Sequence, residues 1–212
     1  MTSDNLDFNV IREFWNLQSL KPENRWTSQS LLNFEIEKLN EIIVIADTFD
    51  ILDLGCGHGA LSRNLTKTQG TLLAVDNQIA YQESFKGNSR ASFELSDIQN
   101  FKSSAFFDLI LLFGVITQFD ADSEDSTLSA MNSLLKPDGI AVIKHQCADT
   151  NAFTFNGFSD ELGTQYSGRY PSRNEQRERI LRYFSSVQEI EYPSQFKNHA
   201  NSTHIMFVCK KG

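Results

Sequence analysis

Residues 51–61, ILDLGCGHGAL, constrain the possible folds more than any other stretch. An apolar run carrying Asp53 leads into Gly55, Gly57 and Gly59, glycines at every second position. So short an apolar run reads as a buried strand, and helical spacing follows it. Glycine admits positive φ and lets a ligand approach the backbone closely, so the joint reads as a tight strand-to-helix turn with free N–H groups. In an open α/β sheet such a turn borders the crevice where ligands bind. One glycine would suit an ordinary tight turn, but three at this spacing after a buried strand point to a nucleotide-like ligand.

The same grammar continues on both sides. Upstream, SQSLLNFEIEKLNEIIVIAD places Leu31, Leu32, Leu39, Ile42, Ile43 and Ala46 at helical spacing, with Thr27 or Ser28 as N-cap. Downstream, GALSRNLTKT reads as helix, TLLAVD as strand, NQIAYQESFK as helix and ASFELSD as strand. FDLILLFG is the nearly continuous apolar run expected of a strand inside a parallel sheet. SEDSTLSAMNSLL reads as helix, KPDG as a turn and IAVIKHQ as a fifth strand. This alternation predicts a parallel sheet with helices on both faces. NEQRERILRYF then predicts a helix whose arginines make a solvated face. SVQEIEYP and THIMFVCKK predict two strands so close in sequence that antiparallel pairing is easiest.

Two segments fall outside the pattern. Residues 1–28 mix polar and aromatic side chains, and residues 147–172 are rich in Gly, Ser, Asn and aromatics with weak periodicity. They read as an N-terminal cap segment and an insertion over the active site, on a single domain of residues 1–212.

Composition narrows the function. A chain of 212 residues fits one large α/β domain. Cys56, Cys147 and Cys209 form no disulfide framework and no CxxC pair, so no metal site is expected. The first ten residues carry acid where a signal peptide carries base, and LILLFGVI is far short of a membrane span; a cytoplasmic protein is expected. The net charge of −8 argues against nucleic acid as partner. The partner expected is a small molecule, the chain being a monomer or homodimer away from membranes.

Two cofactor classes fit the glycines. Gly55, Gly57 and Ala60 satisfy G-x-G-x-x-G/A, with Asp76 about 20 residues further on, so an NAD-binding oxidoreductase is one reading. DLGCGHG also resembles motif I, D/E-x-G-x-G-x-G, of the class I S-adenosyl-L-methionine (SAM) dependent methyltransferases. Further landmarks are similar in order: Asp76 closing LLAVD, Asp97 in ELSDI, FDLILLFGVITQF from Asp108, LLKPDGIAVI, and the terminal strand pair. The likeness spans roughly residues 33–146 plus the end; His58 and Asp138 depart from it. It implies a Rossmann-like doubly wound seven-stranded sheet, mostly parallel with an antiparallel C-terminal strand. It also implies that SAM lies along Asp53, Gly55, Cys56, Gly57 and Gly59. Asp76 and Asn77 would meet the ribose, Asp97 and Ile98 the adenine, Phe113 the methionine moiety and Arg25 its carboxylate. Each has a plainer alternative: Asp53 and Asp97 as caps, Arg25 as a surface charge.

Methyl transfer needs a nucleophile held in line with the activated methyl, and a base only where a hydroxyl must lose its proton. His145 ends the fifth strand in KHQ, at the edge where an acceptor sits, and is the expected base; the alternative is a histidine bonded to the next loop. Gln118, Lys144, Tyr166, Arg169 and Tyr170 are the expected acceptor contacts, against solvation or loop packing. Trp15 and Trp26 either roof the site or pack onto the core. The resulting expectation is a SAM-dependent methyltransferase acting on a small-molecule hydroxyl, of a sugar or other metabolite. RNA or protein methylation and a non-catalytic SAM-binding partner protein stand as alternatives; no NPPY-type amino-methylation motif follows the fourth strand.

Overall fold

The computed structural model describes residues 6–20, 28–43, 48–65, 70–160, 162–197 and 200–212. Helices α1 (Phe8–Ser19) and α2 (Gln29–Ile42) precede β1 (Ile51–Leu54). α3 (Ser62–Leu65), β2 (Leu72–Asp76), β3 (Ala91–Leu95), β4 (Phe107–Phe113), α4 (Ala121–Leu134) and β5 (Leu135–Ala148) follow. β6 (Phe153–Ser159), β7 (Thr164–Tyr170), α5 (Arg173–Ile180), β8 (Phe184–Glu191) and β9 (Ser202–Lys211) complete the chain.

The main sheet has seven strands in the order β3-β2-β1-β4-β5-β9-β8. β9 is antiparallel to both β5 and β8, while β1 to β5 pair in parallel. The expected doubly wound sheet with an antiparallel terminal strand is therefore present. Its centre follows from the apolar runs. Leu109, Ile110, Leu111 and Leu112 of β4 are each 0% exposed and alternate between two cores, one on each face of the sheet. Burying one such leucine is worth about 1.5–3 kcal/mol, which commits β4 to the middle of the sheet. α2 turns Leu31, Leu32, Glu35 and Leu39 inward, and the Ser28 side chain caps it by accepting from the Leu31 N–H. Thr27 and Ala46 lie outside the described residues.

The structure differs from the sequence reading in four places. Residues 8–19 form a helix where only a mixed cap segment is expected; the Asp7 carboxylate accepts from the Asn9 and Val10 N–H groups and starts it. Ile79–Phe85 is a 3₁₀ rather than an α-helix, opening at Gln78 without a side-chain cap and burying Tyr81 and Phe85. KPDG is no free turn: it sits inside β5 as an irregularity, the β4–β5 register jumping from Phe107↔Leu135 to Leu109↔Ile140. Lys136 reaches back from it to Asp50 at 2.9 Å and Asp108 at 2.7 Å, clamping the sheet. Finally, residues 147–172 hold the end of β5 and an antiparallel hairpin, β6–β7.

That hairpin escapes a periodicity scan because its logic lies across the strands. Phe155 pairs with Gly168 and Tyr166 with Gly157. A Cβ added at Gly168 would come within 2.9 Å of the Tyr166 ring. The Tyr166 ring thus folds along its own strand over Gly168, where a side chain would leave it no room. Phe153 stacks on Tyr170 at the base, with ring centroids 4.7 Å apart and planes 13° apart.

Candidate active site

At the carboxyl edge of β1, β2 and β4 the chain surrounds a cleft of about 1280 Å³. That exceeds the roughly 300–1,000 Å³ of a pocket for one ligand, so a cofactor and an acceptor fit together. The glycine turn forms its floor. Gly55, Gly57 and Gly59 have φ of 71°, 50° and 66°, values that favour glycine. The Gly55 and Cys56 N–H groups donate to the Val75 carbonyl at 2.9 and 3.1 Å, tying the turn to β2. A Cβ at Gly57 or at Gly114 would meet nothing within 4 Å, so a ligand can reach the backbone at both places.

Two carboxylates face each other across the turn. Asp53 is 6% exposed; burial pushes its carboxyl up to about 7, the Ser62 hydroxyl pulling it down and the Asp76 charge adding to the rise. Asp76 accepts from the Gly57 N–H and the Gln78 N–H, both at 3.0 Å, while burial raises its pKa. An acceptor-only group set at the end of β2 beside an open glycine backbone suits a diol. Asp97 caps the 3₁₀ turn Ile98–Asn100 by accepting from the Gln99 N–H at 3.0 Å, and also lines the cleft. Both its expected roles are thus open to it at once. Cys56, Asn77, Ile98 and Phe113 also line the cleft.

Gly59, expected as a cofactor contact, is not among the residues that line the cleft. A Cβ on Gly59 would stand 2.6 Å from the Phe85 ring, so this glycine lets the turn pack on the 3₁₀ segment. Arg25 and Trp26 lie outside the described residues, as does His199.

The acceptor end lies beyond β4 and β5. His145, 1% exposed, is in the cleft wall with its ring stacked on Phe207 at 5.6 Å. Its Nε2 lies 3.5 Å from the Cys147 sulfur, and its buried Nδ1 has no hydrogen-bond partner among the described residues. Burial, helped by Arg169 and Lys144, pushes the imidazole down to about 3, so it is neutral and has an acceptor to offer. Lys144 lines the cleft, but its ammonium is 3.3 Å from Glu35 and 5.7 Å from the Tyr192 ring centroid. The Tyr192 hydroxyl donates to the same Glu35 carboxylate at 3.1 Å. Gln118 lines the cleft, its amide 3.4 Å from the Gly114 carbonyl.

Helix α1 and the hairpin form the roof. Tyr166 and Tyr170 line the cleft as expected, Tyr166 meeting Phe14 of α1 edge-on at 5.3 Å. Trp15 lines it too, next to Phe14. The Asp7 N–H donates to Ser167 at 2.9 Å, joining α1 to β7. Arg169, also expected as an acceptor contact, is by contrast not among the lining residues. Tyr166 and Tyr170 share one strand face, and Arg169 is on the other. Its guanidinium pairs with Glu124 of α4 and donates to the Phe119 carbonyl at 3.2 Å. Glu124 is wholly buried and is also bonded by Gln176 at 2.7 Å. Arg169→Met is expected to cost about 3 kcal/mol, because Glu124 keeps its burial and loses its main partner. The check is the urea midpoint, which falls while affinity for S-adenosylhomocysteine (SAH) stays within a few-fold.

Glu35, Phe14 and the Phe8 side of α1 are site residues the sequence reading misses. The signal was there for α1: Asp7 before Val10, Ile11, Phe14, Trp15 and Gln18 is a capped helical spacing. Glu35 carries none, being a polar residue amid an apolar face.

A glycine turn after β1, an acid closing β2 and an antiparallel β9 between β5 and β8 are together the features of the class I methyltransferase fold. Residues 51–139 match the family model for a methyltransferase domain. The resemblance read from motif I is thereby borne out. Among curated proteins it is 27% identical over 119 residues to a ubiquinone biosynthesis O-methyltransferase of Rickettsia bellii, a match covering 53% of this chain and 48% of the relative. The chain thus spans about half the length of the curated relatives it matches. Among solved structures, its fold is similar to the 1,6-didemethyltoxoflavin-N1-methyltransferase of Burkholderia thailandensis, with a TM-score of 0.75 and 19% identity over 96% of this chain and 88% of that one. The N-methyltransferase NodS of Bradyrhizobium japonicum gives a TM-score of 0.63 and 16% identity over 95% and 96%. Among the described residues no helix is long and apolar enough to cross a membrane, and no His, Cys, Asp and Glu cluster fits a metal ion.

Proposed function

We propose that this chain transfers a methyl group from SAM to a hydroxyl of a small, flat acceptor, with His145 accepting the hydroxyl's hydrogen bond. The observation that carries this is one cleft holding both halves: the open glycine turn with Asp53 and Asp76 at one end, and His145 under an aromatic roof at the other. SAM supplies a methyl carbon already activated on a sulfonium. What remains for the chain is placement and dryness. Asp76 holds the ribose diol, Asp97 and Ile98 flank the adenine, and Phe113 and Gly114 border the methionine moiety. Phe14, Trp15, Tyr166 and Tyr170 exclude water and offer ring faces to a flat acceptor.

The neutral Nδ1 of His145 accepts from the acceptor. An imidazole held near 3 is too weak a base to strip a hydroxyl at neutral pH, so its part is to orient the hydroxyl by accepting its hydrogen bond. The O-methyltransferase name of the curated relative supports this reading. A second reading has support from the N-methyltransferase names of the structural neighbours: a neutral nitrogen acceptor would need no base. The roof is read as the acceptor's side of a single domain acting without nucleic acid or membrane partners, in the cytoplasm.

The experiment is calorimetric titration with SAM, SAH and NAD in parallel. SAM and SAH are expected to bind at one site per chain and NAD not at all; NAD binding without SAM binding would overturn the assignment.

A further inference from the structure

The aromatic roof does not stop at the acceptor cavity. Phe155 and Phe158 of β6 and Phe8 of α1 line the same cleft as the buried Phe14 and the half-buried Tyr166, yet they are 37%, 57% and 50% exposed. Apolar side chains this large, left in water at the rim of a ligand site, are the mark of a surface that a ligand covers. Phe155 is continuous with the inner wall, lying 6.4 Å from the Tyr166 ring, which in turn meets Phe14 at 5.3 Å. The rim's charges, Arg12 on α1 and Asp160 at the hairpin end, are one of each sign and favour no ionic ligand. The interior takes cofactor and nucleophile, so what covers the rim is another part of the acceptor.

We propose that the acceptor is amphiphilic: its nucleophile sits under the inner roof, and an alkyl or aromatic tail leaves the cleft along Phe155, Phe158 and Phe8. This deepens the methyl-transfer reading and rests on it. The tail adds affinity through burial against the rim, without any directional contact.

The test uses 4-alkylphenols as unreactive probes, from 4-methylphenol to 4-pentylphenol, titrated with and without saturating SAH. SAH binding by the wild-type protein, measured first in the same cell, reports separately on the cofactor reading. Phenol affinity is expected to tighten about threefold for each added methylene. The triple variant Phe8→Ser/Phe155→Ser/Phe158→Ser is expected to flatten that series while its SAH affinity matches the wild type, which shows that it is folded. A series that is flat in the wild type, or equally steep in the variant, overturns the proposal. So does a flat series accompanied by co-sedimentation with neutral phosphatidylcholine vesicles that the variant abolishes, since the rim would then face a bilayer.

Discussion

Asp76→Ala is expected to weaken SAM and SAH binding by at least about 100-fold. The carboxylate is buried at the end of β2 and accepts from the Gly57 and Gln78 N–H groups, which hold it fixed beside the open turn. Hydrogen bonds to a charged acceptor are worth about 1.5–3 kcal/mol each, and a ribose diol makes two. The same deletion leaves two backbone donors of the turn unpaired, so some stability is lost as well. Asp76→Asn separates the effects. It keeps one side-chain oxygen for the turn but replaces an acceptor by a donor, so the fold is retained and the affinity still falls well over tenfold. Calorimetry on the folded variants decides it: SAH affinity within threefold of wild type in Asp76→Ala would remove Asp76 from the cofactor site.

His145→Gln is expected to lower kcat by about 100-fold, with SAH affinity unchanged, when the acceptor is a hydroxyl oriented by the imidazole. A nitrogen acceptor predicts a change of only a few-fold, so this one substitution separates the two readings of the acceptor. A second readout concerns stability. The native imidazole titrates at about 3, whereas an unfolded histidine titrates near 6.5. Above about pH 6.5 neither state binds this proton; below it the unfolded chain takes it up first. The stabilising contribution is therefore complete above pH 6.5 and is lost as the pH falls toward 3. Relative to His145→Gln, the wild type is expected to lose up to about 1.4 kcal/mol per pH unit between pH 6 and 4, read from urea midpoints. Parallel midpoints over that range would mean that the imidazole is not held neutral.

The legible part of this molecule was the part whose causes are local. Strand β1 and its turn are written in eleven consecutive residues, and β4 in one apolar run, because burial on both faces needs no distant partner to be recognised. Asp76 follows from its place at a strand end. The illegible part depends on pairing across the chain. Arg169 looks like an acceptor contact until its partner Glu124, 45 residues away, is seen on α4. Lys144 looks free until Glu35 and Tyr192 close around it from two other elements. The hairpin's rule, ring opposite glycine, exists only once Phe155 faces Gly168. KPDG carries every sign of a turn, and only the pairing of β5 with β4 on either side of it, Phe107 with Leu135 and Leu109 with Ile140, makes it part of a strand. Gly59 belongs to the motif by spacing and to the packing of Phe85 by geometry.

The anchoring of the hairpin has a consequence for how such a protein diversifies. Its attachment, Arg169 to Glu124 and the Phe119 carbonyl, sits at the base of the hairpin and on the strand face turned away from the cleft. The floor of the cleft, on β1 and β2, shares no residue with it. Selection can therefore rewrite the tip, residue by residue or as a whole cassette, while the latch keeps any new tip over the same opening. The hairpin tip and the glycine turn are thus inherited through separate stretches of sequence, and a chain of this design can change the one without rebuilding the other.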